Sequence, residues 1–181
     1  MPRYTLIQRL LHWALALMIL GALGVGMIFG ILEYKGTVET FGNDMTNTLY
    51  KYHKTFGVLI LAFMVVRIVV KIRLGKPEYA TPLTRFENAA SNALHGLFYL
   101  LVPLMAVLGW LATGASGFPV EFFNWTLPAI LGKDKELGAL LFQLHGIVGW
   151  ILLILVIVHI AAAVKHWLVK RDGVMARMSL F

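Results

Sequence analysis

The sequence contains no cysteine in its 181 residues. Structural disulfides, Cys-ligated iron–sulfur clusters and the C-x-x-C-H attachment of haem are therefore excluded. Charge is also scarce, because Asp, Glu, Lys and Arg make up 14% of the chain, whereas about 25% is usual in soluble domains. The acids are the rarer sign, with nine Asp and Glu against sixteen Lys and Arg. These absences argue against both a soluble domain and a thiolate metal site.

Apolar residues make up most of the chain, with 59% hydrophobic residues and a mean hydropathy of +0.77. The first apolar run, Leu10 to Leu32, is longer than the core of a signal peptide, so we expect it to be a retained helix. Four apolar segments are long enough to span a bilayer as helices, and they cover about residues 6–32, 49–74, 86–115 and 137–169. The predicted fold is all-α, a single transmembrane domain over residues 1–181 arranged as an up-down-up-down four-helix bundle in the lipid bilayer.

Lys and Arg are distributed unevenly between the two sets of helix flanks. The N-terminus, the second connection and the C-terminal tail together carry ten of them against three acids, and the other flanks carry five against six. Basic loops usually remain in the cytoplasm, so we expect both termini to be cytoplasmic. The net charge of +7 reflects this bias. Nucleic-acid binding is not expected, because the basic residues flank apolar runs and form no separate module.

The fourth segment contains 28 consecutive residues without a formal charge, from Leu137 to Val164. His145 and His159 lie inside it, fourteen residues apart. On a helix this spacing corresponds to roughly 21 Å along the axis and about 40° around it. An imidazole in hydrocarbon is costly unless it has a partner, so each marks a candidate functional site. Two of them on one face at two depths indicate two stacked metal centres.

Two other histidines match these depths in an up-down bundle. His53 near the outer start of the second helix is level with His145, and His12 near the inner start of the first is level with His159. We predict these pairs as axial ligands of two haem b irons, the inner one held by His12 and His159 and the outer one by His53 and His145. A small residue follows each ligand four positions later, on the same face, where it leaves room for a porphyrin. These residues are Ala16, Gly57, Gly149 and Ala163.

Other interpretations of the histidines stay open at this point. His95 also has the inner depth, but Phe98 and Tyr99 follow it on the same face and leave no flat slot, so we do not expect it to be a ligand. A membrane histidine often only bonds to a neighbouring helix, and small residues often mark close helix packing. Zinc or a proton path is a further possibility. Zinc, however, takes clustered ligands at one depth, and Glu87, at a segment end, is the one acid inside the four segments.

Four motifs in the chain resemble the bacterial cytochrome b561 family, small inner-membrane di-haem proteins that include superoxide oxidases. The matching pieces are RLLHW at 9–13, HKTFG at 53–57 with Arg67 downstream, SGFPV at 116–120, and HGIVG...HIAAAVKHW...D...RM over 145–178. The resemblance implies a multi-pass protein of the bacterial inner membrane with the two histidine pairs named above. It also implies electron exchange with ubiquinone near the inner haem.

The family's quinone-site histidine corresponds to His166, and Lys165 and Trp167 beside it are further candidates for that site. The family often has two adjacent histidines at this position, where this chain has Lys165 and His166. Arg67 is a candidate partner for a propionate of the inner haem. Lys51 and Lys54, together with Lys133 and Lys135, are candidates to attract superoxide at the outer face by raising its local concentration, although acids in the same loops offset part of that charge.

The preferred functional hypothesis is therefore an oxidoreductase that passes electrons from superoxide to ubiquinone. If two histidines fill both axial positions of each iron, oxygen finds no open site and the haems can only transfer electrons. No residue is assigned a catalytic role. One alternative is a cytochrome b subunit between a periplasmic dehydrogenase or hydrogenase and the quinone pool. Another is a non-redox scaffold or transporter, although the sequence has no inverted repeat or broken helix to support a transporter.

Overall fold

Four long helices form the protein in a computed structural model that describes residues 3–180. Each is long and apolar enough to cross a membrane, and together they confirm the predicted all-α transmembrane four-helix bundle. The helices are α1 (Leu6–Phe41), α2 (Asn43–Leu74), α3 (Arg85–Ala115) and α4 (Lys135–Val164). Two short strands, β1 (Val120–Phe122) and β2 (Trp125–Leu127), lie between α3 and α4. A π-helical turn, Lys165–Lys170, and a 3-10 turn, Met175–Arg177, follow α4.

The first two helices extend further than the sequence predicted. The expected end near Leu32 coincides with a break at Glu33, whose φ of 55° lies in the left-handed region, but the helix resumes and continues to Phe41. Gly42, with a φ of 77°, then turns the chain directly into α2 at Asn43, six residues before the predicted start. The predicted bounds were wrong here because they followed hydrophobicity, and a polar helical extension carries no such signal.

The other connections contain well-defined caps. Thr84 accepts a hydrogen bond from the Glu87 amide at the start of α3, and the Glu87 carboxylate accepts one from the Thr84 amide in return. Asp134 caps α4 by accepting from the Leu137 amide at 3.0 Å. Each cap satisfies backbone donors that a helix start leaves free. The helices of the second half of the chain therefore begin within two residues of their predicted positions.

A narrow buried core joins all four helices. It consists of Leu15, Leu23, Ile60, Met64, Val102 and Leu152. Most other large apolar side chains point outward, for example Leu17 at 69% and Ile154 at 60% exposure, as expected where lipid rather than water is the solvent. Among adjacent helices, α1 and α4 pack least closely. The bundle is therefore most open along the seam that carries His12 on one side and His159 on the other.

The strands β1 and β2 form an antiparallel hairpin at one end of the bundle, here called the hairpin end. It is fixed to α2 through Thr55, whose hydroxyl accepts from the Phe123 amide at 3.1 Å. Lys54 also forms an ion pair with Glu121 and donates to the carbonyl of Pro119. The hairpin therefore covers the start of α2, close to His53.

Both termini meet at the opposite end, here called the terminal end. The Tyr4 amide donates to the Arg177 carbonyl at 3.1 Å, and Trp13 Nε1 donates to the carbonyl of Met178 at 2.9 Å. Arg177 is only 4% exposed, packs over the rings of Tyr4 and Tyr79 and donates to the Pro77 carbonyl. Burial raises the pKa of Tyr4, so its phenol stays neutral beside this guanidinium. The C-terminal tail is thus held across the start of α1.

Candidate functional site

The histidines of α2 and α4 meet near the hairpin end. The ring centroids of His53 and His145 are 6.1 Å apart, with their planes at 81°. Nδ1 of His145 lies 3.0 Å from the carbonyl oxygen of Met105. This contact is the kind of outer bond that fixes the ring of a metal-ligating histidine and directs its other nitrogen to the metal. Nδ1 of His53 is buried and has no hydrogen-bond partner among residues 3–180.

A second pair lies near the terminal end, between α1 and α4. The ring centroids of His12 and His159 are also 6.1 Å apart, with their planes at 70°. Arg67 Nη2 approaches Nδ1 of His12 at 3.3 Å, so the sequence candidate for a propionate partner lies at this pair. Its Nη1 is buried without a partner among the described residues. The guanidinium therefore has bonding capacity left for an anionic group.

The separation in both pairs fits an iron held between two imidazoles. A metal–nitrogen bond to histidine is about 2 Å long and the ring centre lies about 1 Å behind the nitrogen, so two rings that share one metal stand about 6 Å apart. Both observed separations are 6.1 Å. Because α1 and α4 pack loosely, the seam between them is also the place with most room for a flat macrocycle. The residues present therefore fit two haems.

His95 lies beside the terminal-end pair, although Phe98 and Tyr99 on its helix face argued against a ligand at this position. Its ring centroid is 5.5 Å from that of His159, and its Nδ1 lies 2.6 Å from the carbonyl of Ser91 on its own helix. Phe98 packs against His159 as well, at 5.6 Å. Three imidazoles thus converge at this depth, whereas only two meet at the hairpin end.

Two glycines that the sequence analysis did not single out contact the hairpin-end histidines. A Cβ on Gly109 would lie 2.9 Å from Cε1 of His145, and a Cβ on Gly26 would lie 3.2 Å from Cε1 of His53. Of the predicted slot glycines, Gly57 has no atom of residues 3–180 within 4 Å of its Cβ position, whereas Gly149 faces the methyl group of Met105 at 3.1 Å. Gly57 therefore borders open space, and Gly149 packs against a side chain. A glycine inside a helix destabilises that helix by about 1 kcal/mol relative to alanine. Its presence within a helix was therefore the sequence signal that could have indicated close contacts at Gly26 and Gly109.

Gly109→Ala is expected to displace the His145 ring and lower occupancy of the hairpin-end haem, because the added methyl group would overlap that ring. Overpacking of this kind typically costs about 1–3 kcal/mol. The measurement is haem per protein after purification under sub-saturating haem supply. Gly96→Ala on the same helix is the matched control, since nothing lies within 4 Å of its Cβ position. Equal haem content in the two variants would refute the role of Gly109.

Two neighbouring cavities lie at the terminal end. One, of about 490 Å³, is lined by Trp13, Trp167, Met175, Ala176, Ser179 and Leu180. The other, of about 410 Å³, is lined by His166, Trp167, Leu168, Arg171, Gly173, Met175 and Ala176. They share Trp167, Met175 and Ala176, and together we call them the terminal cavity. Trp13 links it to the nearby histidine pair, because the ring centroids of Trp13 and His12 are 5.4 Å apart.

The structure brings some of the sequence candidates to this cavity and leaves others apart. His166 and Trp167 line it, whereas the exposed Lys165 does not. At the hairpin end, Lys54 is engaged by Glu121, and Lys51 lies 3.4 Å from the side-chain oxygen of Asn124. The charge of Lys54 is therefore offset by a carboxylate, while Lys51 approaches a neutral amide and has no ion pair among residues 3–180.

Comparison with known proteins identifies the family. Residues 3–179 match the family model described as prokaryotic cytochrome b561. Cytochrome b561 homolog 2 of Escherichia coli (strain K12) is 25% identical over 97% of this chain and 90% of its own length. Cytochrome b561 homolog 1 of the same organism is 22% identical over 98% and 97%, and cytochrome b562 of Cereibacter sphaeroides is 28% identical over 98% and 95%. The chain therefore belongs to the prokaryotic cytochrome b561 family, the membrane electron-transfer proteins that bind haem b.

Proposed function

We propose that this protein carries electrons across the bacterial inner membrane through two haems and reduces ubiquinone in the terminal cavity, with superoxide as the electron donor. The observation that carries the proposal is the arrangement of two histidine pairs of equal separation at two depths, with a cavity adjoining one of them. His53 and His145 would hold one iron, and His12 and His159 the other. Bound in this way, the haems supply one-electron carriers with no open coordination position.

The reaction balances with two superoxide ions for each quinone. Each superoxide is oxidised to O₂ and gives one electron. Ubiquinone takes up two electrons and two protons, and both of its carbonyl oxygens become hydroxyl groups. The chain has to bind the quinone, deliver protons and keep the two half-reactions at opposite ends of the bundle. The separation of the histidine pairs along α4 supports this division, because fourteen residues of helix span roughly 21 Å.

The terminal cavity has the chemistry that a quinone requires. Trp13, Trp167 and Leu180 provide apolar surface for the ring and its hydrocarbon tail, and His166 provides a nitrogen for a carbonyl oxygen. Binding sites of this size commonly combine a mostly apolar wall with a few fixed polar groups. Contact between Trp13, which lines the cavity, and His12 supports a quinone position close to the proposed inner haem. The excess of Lys and Arg at this end predicts that it faces the cytoplasm, where protons are available.

Support for superoxide comes from the hairpin end. Lys51 has no acidic partner among the described residues, and the exposed Lys133 and Lys135 likewise form no ion pair there. Lysines in such positions raise the local concentration of a small anion. Lys54 contributes less, since Glu121 offsets its charge. Of the four lysines that the sequence suggested, Lys51, Lys133 and Lys135 therefore carry the expected attraction and Lys54 contributes less.

A second candidate function is electron transfer from a periplasmic dehydrogenase or hydrogenase. The helical extensions of α1 and α2 beyond Glu33 favour it, because they project a surface at the hairpin end with Tyr34, Phe41 and Met45 exposed. Such a surface offers a redox protein apolar contacts that superoxide does not need. Both candidates share the quinone site and differ only in the electron donor.

His166→Ala is expected to slow reoxidation of the reduced haems by a soluble short-chain ubiquinone while leaving both haem spectra and the reduction by superoxide unchanged. The reason is that His166 lines the cavity and belongs to neither histidine pair. Stopped-flow spectroscopy of the detergent-purified protein follows both half-reactions. Tyr52→Phe at the other end serves as a control that should change neither rate.

The same experiment distinguishes the two electron donors. If the wild-type haems are reduced by superoxide no faster than in a control sample that contains superoxide dismutase, the donor is not superoxide. The dehydrogenase-linked function then takes its place. Lower ionic strength should speed the superoxide step, since screening of the lysine charges is then weaker. Unchanged quinone kinetics in His166→Ala would refute the placement of the quinone and leave the electron-carrier function intact.

A further inference from the structure

His166 and Asp172 form a pair of polar side chains beside the terminal cavity. Nδ1 of His166 lies 2.6 Å from Oδ2 of Asp172, and the two side chains are only 13% and 9% exposed. The other carboxylate oxygen accepts from the Val174 amide at 3.2 Å. Both oxygens of Asp172 are thus engaged, and the carboxylate is held in one orientation against the imidazole.

The backbone after α4 is shaped to make this contact. The helix widens into the π-helical turn Lys165–Lys170, and Arg171 follows in the left-handed conformation with a φ of 51°. This reversal turns the chain back, so that Asp172 reaches His166 six residues before it. Lys170 secures the turn to α3 through an ion pair with Glu87. Short π-helical turns occur frequently at functional sites, and a non-glycine residue in the left-handed region is uncommon enough to need a reason.

The contact also decides which nitrogen of His166 is available. Since Nδ1 faces Asp172, Nε2 is the ring nitrogen left for a ligand in the cavity that His166 lines. Asp172 is not part of the cavity wall. It therefore acts on a bound molecule only through the imidazole, as a positioning residue. A carboxylate in this place fixes the ring tautomer and stabilises the imidazolium form, as in carboxylate–histidine pairs of hydrolases.

We propose that Asp172 and His166 together deliver protons to the quinone bound in the terminal cavity, an inference that rests on the proposed function. His166 as imidazolium transfers its Nε2 proton to a quinone carbonyl oxygen as the electron arrives, so an N–H bond breaks and an O–H bond forms. Asp172 remains a carboxylate throughout. The neutral imidazole then takes a proton from water at the terminal end, and the carbonyl oxygen on the opposite side of the ring takes its proton from water, so that two protons accompany the two electrons.

The test compares Asp172→Asn with Asp172→Glu in the haem-loaded, detergent-purified protein. Asparagine keeps a similar shape but removes the charge that stabilises the imidazolium. Haems reduced with dithionite are mixed with a short-chain ubiquinone in one series and with ferricyanide, which accepts an electron without a proton, in the other. Glu78→Gln removes an exposed acid at the same end and serves as the matched control.

For Asp172→Asn we expect the reoxidation rate at saturating quinone to fall at least about tenfold, since general acid catalysis contributes typically about 10²–10⁴-fold and water replaces part of it. The quinone concentration for half-maximal rate and the ferricyanide rate should stay within about twofold of wild type, and Asp172→Glu should recover part of the quinone rate. Equal slowing with both oxidants, or a normal quinone rate in Asp172→Asn, would overturn the proton-delivery role alone. Failure of ubiquinone to oxidise the wild-type haems would overturn the proposed function together with it.

Discussion

Replacing His53 or His145 with alanine is expected to reduce the haem content from two per chain to one. In the proposed arrangement each variant deletes one of the two histidines that would hold the hairpin-end iron, and because the sequence has no cysteine, no thioether bond can retain the porphyrin. The 6.1 Å separation of the two ring centroids fits one metal ion held between the imidazoles. The pyridine haemochrome assay gives haem per protein, and the optical and electron paramagnetic resonance spectra should lose one low-spin b-type component.

The matched control is His166→Ala, which removes a histidine outside both pairs and should retain two haems. Wild-type protein that holds a single haem after full loading would mean that one of the two pairs is wrongly assigned. Retention of two low-spin haems in His145→Ala would exclude His145 in particular.

Much of the site follows from the sequence because depth in a membrane is encoded by position along a helix. The spacing of fourteen positions from His145 to His159 already requires two levels, and the short connections bring His53 and His12 to those levels. The structure places each pair with its rings in reach of a shared metal. Helix length and spacing were sufficient because the bilayer restricts how four helices can be arranged.

Contacts between helices were harder to predict. Gly109 lies against His145 and Gly26 against His53, but these contacts depend on how each helix is rotated about its axis. The small residues four positions after each predicted ligand could be identified from one helix alone. Their surroundings could not, and Gly149 faces Met105 instead of open space. A single sequence shows which residues share a face of one helix. It does not show which face of a neighbouring helix they contact.

The C-terminal tail was the least predictable part of the site. On a continued α-helix, His166 would lie about 10 Å beyond His159 on nearly the same face. The chain instead enters a π-helical turn at Lys165 and reverses at Arg171, which brings Asp172 to His166 and Arg177 to Tyr4. Asp172-Gly173 is a dipeptide typical of turns, and Gly173 has a φ of 80°, but it predicts neither the π-helical turn before it nor the contact between Asp172 and His166. The reversal is stabilised by long-range contacts such as the one between Trp13 and the carbonyl of Met178.

The terminal-end pair leads to the second large effect, because three imidazoles meet there. His12→Ala or His159→Ala is expected to remove the second haem and to reduce electron transfer from superoxide to quinone to the background rate, since the remaining haem lies on the far side of the bundle. His95→Ala should retain both haems. Although its ring lies 5.5 Å from that of His159, its Nδ1 contacts the Ser91 carbonyl on its own helix, whereas His12 and His159 face each other across the open seam between α1 and α4.

The measurement combines haem content with redox titration of each variant. His12→Ala and His159→Ala should each show a single midpoint transition, that of the hairpin-end haem, which is the transition that His145→Ala loses. Arg67 is the candidate partner of a propionate of the terminal-end haem, so the Arg67→Gln variant is tested as well. It should lower the potential of that haem without removing it, because a positive charge near a haem favours the reduced form. If His95→Ala abolishes the redox transition of the terminal-end haem while His12→Ala retains it, the terminal-end iron is held by His95 and His159. The macrocycle then lies in the seam between α3 and α4.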